Sequence, residues 1–165
     1  MSKPDRVAVI AHERKLDPGT GGHLRQALSD QGFDVRWRSI RKGSSATKAA
    51  KAALADGATH VLAAGGDGTV RAAVQALAGT DVPLGVVPAG TANLFASALH
   101  LPSDPDEIAR ALRTGVTRRL DTATCNDLPL AIMAGTGFDA AMIDAADDAK
   151  ERLGTLAYVR AGVRE

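Results

Sequence analysis

Gly65-Gly66-Asp67-Gly68-Thr69 is the stretch that decides how this chain is read. It follows the apolar run His60-Val61-Leu62-Ala63-Ala64 and leads into a helical pattern over residues 70–77. A buried strand that runs into a glycine-rich turn and then a helix start leaves backbone N–H groups without partners. The helix dipole adds positive potential at the same place. Such a turn binds anions, phosphate above all. Its glycines allow a phosphate close to the backbone and supply positive φ where the turn needs it. Asp67 is the odd member, because a carboxylate repels phosphate unless a divalent cation lies between them. The stretch therefore points to a nucleotide phosphate with Mg²⁺. A tight β–α turn carrying an exposed Asp is the competing reading, and the remainder of the chain has to decide.

Working outward, strand and helix alternate strictly. Residues 6–11 are short, apolar and β-branched, as in a strand buried on both faces. Residues 20–29 carry Leu24, Ala27 and Leu28 at helical spacing before Gly32. A second strand is expected over 33–38 and a helix over 46–55, capped by Ser44 or Ser45 and closed by Gly57. After the glycine turn come a strand over 84–87, a second turn at Pro88-Ala89-Gly90-Thr91-Ala92-Asn93, and a short helix over 94–99. Asp104, Pro105 and Glu107 mark a further helix start, with Asp104 as the cap. Alternation with short connections predicts an α/β fold, a parallel sheet with helices on both faces. Ligands of such sheets sit outside the carboxyl ends of the strands. Three loops lie there: 12–22, 65–69 and 88–93.

The tail breaks the rhythm. Strand-like runs at 116–124 and 128–134 flank Cys125-Asn126-Asp127, a turn with hairpin chemistry. The expected organisation is an α/β domain over residues 1–117 and the beginning of a second, β-sandwich-like domain over 118–165, incomplete at residue 165. Gly135-Thr136-Gly137-Phe138-Asp139-Ala140 follows, then a charged helical stretch over 141–151. The Gly135-x-Gly137-x-x-Ala140 spacing imitates a dinucleotide fingerprint. It lacks a later strand end for the required acid, so a tight turn is the better account.

Composition removes several classes. Lys and Arg number 20 against 19 Asp and Glu, which gives no bulk charge for holding nucleic acid. Aromatic residues are 3% of the chain, too few for base-stacking platforms. Cys125 is the sole cysteine, so no internal disulfide can form and a reducing compartment fits. No window is long and apolar enough for a membrane span. The expected location is cytoplasmic, with any membrane association peripheral. Gly-Lys-Ser/Thr, the protein-kinase motifs and Gly-x-Ser-x-Gly are all absent. In the second turn Gly90 allows close approach, Thr91 offers a hydroxyl, and Asn93 can cap the helix or bond a phosphate. Two such turns on the strand ends of one sheet favour the ligand reading. The histidines, His12, His23, His60 and His100, show no metal-ligand spacing, and only His12 falls in a strand-end loop.

The order Gly65-Gly-Asp-Gly-Thr69, Pro88-Ala-Gly-Thr-Ala-Asn93, Ala134-Gly-Thr-Gly-Phe-Asp-Ala140 and Lys150-Glu-Arg-Leu-Gly-Thr-Leu-Ala-Tyr158 resembles the diacylglycerol kinase catalytic-domain family over essentially the whole chain. NAD kinases share the first of these motifs and lack the second and third. The resemblance implies an N-terminal α/β domain that binds ATP and Mg²⁺, and a C-terminal β-sandwich that contributes lipid contacts. Carried over by motif, Gly65, Gly66, Asp67, Gly68, Thr69, Val70 and Arg71 hold the phosphates. Gly90, Thr91 and Asn93 line the nucleotide, and Ser39 takes the place of a nucleotide-contacting Thr. Asp67 acts in catalysis or through the metal. Three features depart from the family pattern. The first strand ends Ala11-His12-Glu13 rather than Asn-Pro, Leu94 replaces a frequent Asp, and the acidic general base of the second domain has no counterpart up to residue 165. The implied reaction moves the γ-phosphate of ATP to a lipid hydroxyl such as that of diacylglycerol, with this chain carrying mainly the nucleotide half. The alternative is a non-catalytic nucleotide-binding or interaction module, with an NAD kinase-like enzyme behind it.

Overall fold

A computed structural model describes residues 4–131 of the 165. The turn at 135–140, the helical stretch at 141–151 and the motif at 150–158 lie outside the described residues. The α/β expectation holds. Strands β1 (Arg6–His12), β2 (Asp34–Ile40), β3 (His60–Gly65) and β4 (Leu84–Pro88) form a four-stranded sheet in the order β2-β1-β3-β4, and every pairing is parallel. β1 is central, and its alternation explains how one apolar run serves two faces. Val7, Val9 and Ala11 pack against helix α1 (Pro18–Asp30) through Leu24 and Leu28, and against helix α5 (Pro105–Thr114) through Ile108. Ala8 and Ile10 face helix α2 (Ala46–Ala55) through Ala46, Ala50 and Ala53, and helix α3 (Asp67–Leu77) through Ala72 and Ala76. The small alanine faces let helix and sheet approach closely, which is what a dense interior requires.

Helix limits follow their caps. α1 begins two residues earlier than the leucine spacing indicates, because Asp17 accepts from the Thr20 N–H at 2.9 Å and Pro18 occupies the first turn. Asp104 caps α5 as expected, accepting from the N–H groups of Asp106 and Glu107 at 3.0 and 3.1 Å. α3 starts at Asp67, so Asp67 and Gly68 belong to its first turn rather than to a preceding loop. A single 3₁₀ turn, Gly43–Ser45, precedes α2.

The hairpin is present. β5 (Ala123–Cys125) and β6 (Leu128–Leu130) pair antiparallel across Asn126 and Asp127, which both take positive φ, 49° and 60°. Left-handed residues at both central positions define the tight hairpin turn that matches strand twist. Among the described residues strand pairing does not extend back over residues 116–122, which are exposed coil. The described chain, hairpin included, belongs to one compact unit.

The strand order fixes where a ligand can sit. The chain leaves β1 toward β2 on one side and meets β3 on the other, so the order reverses between β1 and β3. In open sheets of this kind a ligand is expected outside the carboxyl ends of those two strands. His12 and Gly65 are their last residues.

Candidate functional site

Gly65 ends β3 and Gly66 is the N-cap of α3, in extended conformation with φ −93° and ψ −174°. None of Gly65, Gly66, Gly68 and Gly90 has positive φ; among the described residues the positive-φ glycines are Gly32, Gly57 and Gly79. The site glycines are there for close approach. A Cβ on Gly65 would stand 2.5 Å from Thr69 Oγ1 and 2.8 Å from its Cβ, and a Cβ on Gly90 would stand 2.5 Å from Gly66 Cα. Gly66 is closed on the other side by Lys15, whose Nζ lies 2.7 Å from where its Cβ would be. Gly68 differs: a Cβ there meets nothing within 4 Å, and the residue is exposed. Packing therefore explains Gly65 and Gly90; at Gly66 the lysine tip can swing away and the tight neighbour is Gly90 Cα at 3.2 Å, and at Gly68 packing explains nothing.

The two glycine turns are joined. Ala89 N–H donates to the Gly65 carbonyl at 3.0 Å, which extends the β3–β4 ladder past the strand ends. Asn93 adopts the left-handed conformation, φ 49° and ψ 45°. Its carboxamide turns back on its own loop, accepting from Gly90 N–H at 2.8 Å and donating to the Gly90 carbonyl at 3.0 Å. Asn93 stands at the N-cap of helix α4 (Leu94–Ala98) without capping it through its side chain. From the other side, Gly43 packs on the first turn of α3, with a Cβ position 3.3 Å from the Gly68 carbonyl carbon and the Thr69 nitrogen.

What this arrangement presents is donors. Thr69 and Val70 N–H groups bond back to the Gly66 carbonyl at 2.8 and 3.2 Å, while those of Asp67 and Gly68 have no partner among the described residues. Thr69 Oγ1 is buried and likewise unpartnered, in a residue only 1% exposed. Buried polar atoms are rarely left unpaired, so an orphan hydroxyl beside free helix N–H groups is a specific signal. Lys15 adds a cation at the β1 side. The sequence placed its loop at the site and singled out His12 instead. The signal that would have found Lys15 is its position three residues past the end of β1, at the carboxyl edge of the sheet. His12 is buried at the β1 terminus, its Nδ1 accepting from the Arg14 N–H at 3.3 Å. Burial, then the Lys15 charge, hold its pKa below the ordinary 6.5.

The remaining site residues divide. Asp67 is half-buried, with Oδ1 accepting from the Phe95 N–H at 3.2 Å. Val70 faces the core beside Val86 and Ala96, so only its backbone is available to a ligand. Arg71 and Thr91 are exposed near the turns. Ser39 is exposed at the end of β2, opposite Ala11 in register. It stands two strands from Gly65, roughly 10 Å at ordinary strand spacing. It lines a cleft of about 360 Å³ with His12, Asp17, Arg25 and Trp37, where the Arg25 guanidinium stacks on the Trp37 ring at 4.8 Å. No cluster of three or more His, Cys, Asp or Glu side chains that would hold a metal occurs among the described residues.

Two joined glycine turns and a helix start without a side-chain cap therefore meet at the carboxyl edge of a parallel α/β sheet. Similarity to known proteins supplies the family. The diacylglycerol kinase catalytic domain matches residues 14–125, and the chain belongs to that family. It is 38% identical over 120 residues to a diacylglycerol kinase of Mycobacterium tuberculosis, a match covering 69% of this chain and 39% of that protein. It is 34% identical over 139 residues to a Pseudomonas putida protein described as a probable YegS-like lipid kinase, covering 82% of this chain and 47% of the other. The crystal structure of a diacylglycerol kinase from Bacillus anthracis shares the fold, with a TM-score of 0.66 at 22% identity over 88% of this chain and 53% of that one. The chain thus spans about half, or less, of the length of these relatives.

Proposed function

We propose that this chain is the nucleotide-binding part of a lipid kinase, one that moves the γ-phosphate of ATP to a lipid hydroxyl such as that of diacylglycerol. The observation that carries the reading is the convergence of the Gly65 and Gly90 turns on an α3 start that holds free N–H groups and an orphan Thr69 hydroxyl. The free N–H groups of Asp67 and Gly68 and the Lys15 ammonium cradle the phosphates, with Arg71 beside them. Thr91 and Asn93 border the cradle from the second turn. Ser39 and the cleft next to it take the nucleoside end, two strands away. The acceptor is brought by a second domain; of the residues from 118 onward, the described hairpin packs with the α/β unit. The kinase names of the relatives in the family support the reaction class.

The residues present fit Mg²⁺. This ion rarely uses an all-protein cage and is held by one or two carboxylates together with substrate phosphates. Asp67, with one oxygen bound to Phe95 and the other unbonded among the described residues, suits that role. Mg²⁺ bound there would supply charge neutralisation between phosphate oxygens and the carboxylate. Transfer itself forms a bond from the lipid oxygen to the γ-phosphorus, breaks the bond to ADP and delivers the hydroxyl proton to a base. That base lies outside the described residues. The acceptor's insolubility makes peripheral contact with a membrane part of the proposal.

Titration of the chain with ATP, with and without Mg²⁺, followed by phosphate transfer into diacylglycerol vesicles, tests the reading. Mg²⁺-dependent ATP binding that weakens in Asp67→Asn is the expected result. ATP binding that ignores both Mg²⁺ and that substitution refutes the assigned role of Asp67, and no binding at all refutes the site.

A further inference from the structure

Helix α4 is held by a borrowed cap. Its own N-cap residue, Asn93, makes no capping bond to the helix because its carboxamide is committed at both ends to Gly90, at 2.8 and 3.0 Å. The second N–H of the helix, that of Phe95, donates instead to Asp67 Oδ1 at 3.2 Å, across 28 residues of sequence and from the first turn of a different helix. α4 is only 5 residues long and buries Ala96 alone. A helix that short does not persist without outside support; Ala96 and the half-buried Phe95 pack against Val70, Val74 and Val86, and the Asp67 carboxylate adds a polar anchor at its first turn.

We propose that Asp67 is a positioning residue for α4 and that, through it, ligand engagement at the glycine turn and the seating of α4 are one coupled equilibrium. With Oδ1 held by Phe95, the carboxylate has one orientation before any ligand arrives, and its second oxygen is presented in a fixed direction. Pre-organisation of this kind removes an ordering cost from binding. Reciprocity then requires the converse: a group that fixes the second oxygen also fixes the first, and α4 becomes more firmly seated. The capping half of the proposal stands on the geometry alone. The coupling half rests on the nucleotide reading above.

Amide exchange of Phe95 and Ala96, followed by NMR on the full chain, separates these halves. Asp67→Ala removes both acceptor and charge, whereas Asp67→Asn keeps an acceptor oxygen and removes the charge. Without ligand, Asp67→Ala is expected to speed exchange at both amides by about fivefold, the factor that losing a cap of ordinary strength corresponds to. Asp67→Asn is expected to stay near the native rate. The amide of Val9 in β1, fully buried, serves as the control that each variant is folded. Adding ATP with Mg²⁺ is expected to slow exchange of Phe95 in the native chain and not in Asp67→Asn. Native exchange rates in Asp67→Ala overturn the cap. A ligand-induced slowing that survives in Asp67→Asn overturns the coupling through the carboxylate. If ATP does not bind the native chain, the nucleotide reading and the coupling fall together, while the unliganded comparison still decides the cap.

Discussion

Gly65 and Gly68 stand three residues apart in one motif, yet substituting each by alanine should give opposite results. At Gly65 the added Cβ falls 2.5 Å from Thr69 Oγ1 and 2.8 Å from Thr69 Cβ, well inside van der Waals contact. Thr69 is 1% exposed, so it has no room to withdraw. Overpacking of this kind costs about 1–3 kcal/mol. At Gly68 the Cβ meets no atom within 4 Å, and the backbone is not in the left-handed region. Glycine in a helix costs up to about 1 kcal/mol relative to alanine, less in the first turn. Gly68→Ala should therefore leave stability unchanged or raise it by about 0.5 kcal/mol. The open space over Gly68 is where the proposed phosphate lies, and a methyl group there holds a phosphate oxygen beyond the ~2.9 Å that an N–H···O bond needs. A tenfold or greater loss of ATP affinity, about 1.4 kcal/mol, should follow. Urea unfolding of both variants, paired with ATP titration, separates the two costs. A Gly68→Ala protein that is stable and binds ATP like the native chain would refute the placement of the phosphate at the α3 start.

Two further outcomes follow from the electrostatics. His12 and His60 both have pKa values lowered from 6.5, with burial the leading cause in each. The unfolded chain then binds more protons than the folded one between the lowered values and 6.5. Their stability contribution is complete above about pH 6.5 and is lost as the pH falls through that window toward the folded values. Thermal midpoints measured from about pH 8 to about pH 5 should decline on the acid side, and a His12→Asn/His60→Asn double variant should flatten that decline. An equal decline in the double variant would exclude these residues as its source. Lys15→Met should weaken ATP binding about five- to tenfold at low salt, with the difference shrinking as salt screens the exposed ammonium. An affinity loss independent of salt would point to packing against Gly66 rather than charge.

The sheet was legible because its signals are local. A run such as Val7-Ala8-Val9-Ile10 has no polar face, so it must lie between two layers, and it does. Breakers at Gly32 and Gly57 and the Asp104-Pro105 start punctuate the helices with little error. The hairpin turn at Asn126-Asp127 is equally local. Residues 116–122 have strand-like composition and no strand partner among the described residues, and pairing is a tertiary fact that composition does not carry.

The glycine turn was legible as a place and not as a geometry. Its glycines suggested positive φ, whereas their conformations are ordinary and their constraint is contact: Gly65 with Thr69, Gly66 with Gly90 and Lys15. Those neighbours come from separate segments, and no window of sequence contains them together. Asn93 is the instructive case. A residue of that type ahead of a helix is expected to cap it, and the competing demand of Gly90 for both ends of its carboxamide is visible only once the loop is closed. Asp67 then inherits the cap from 28 residues away. A role that one side chain vacates and another assumes leaves no mark on local propensity. For that reason Asp67→Ala does not by itself assign Asp67 to the metal: its loss of activity would follow equally from an unseated α4, whereas the acceptor-preserving Asp67→Asn isolates the charge.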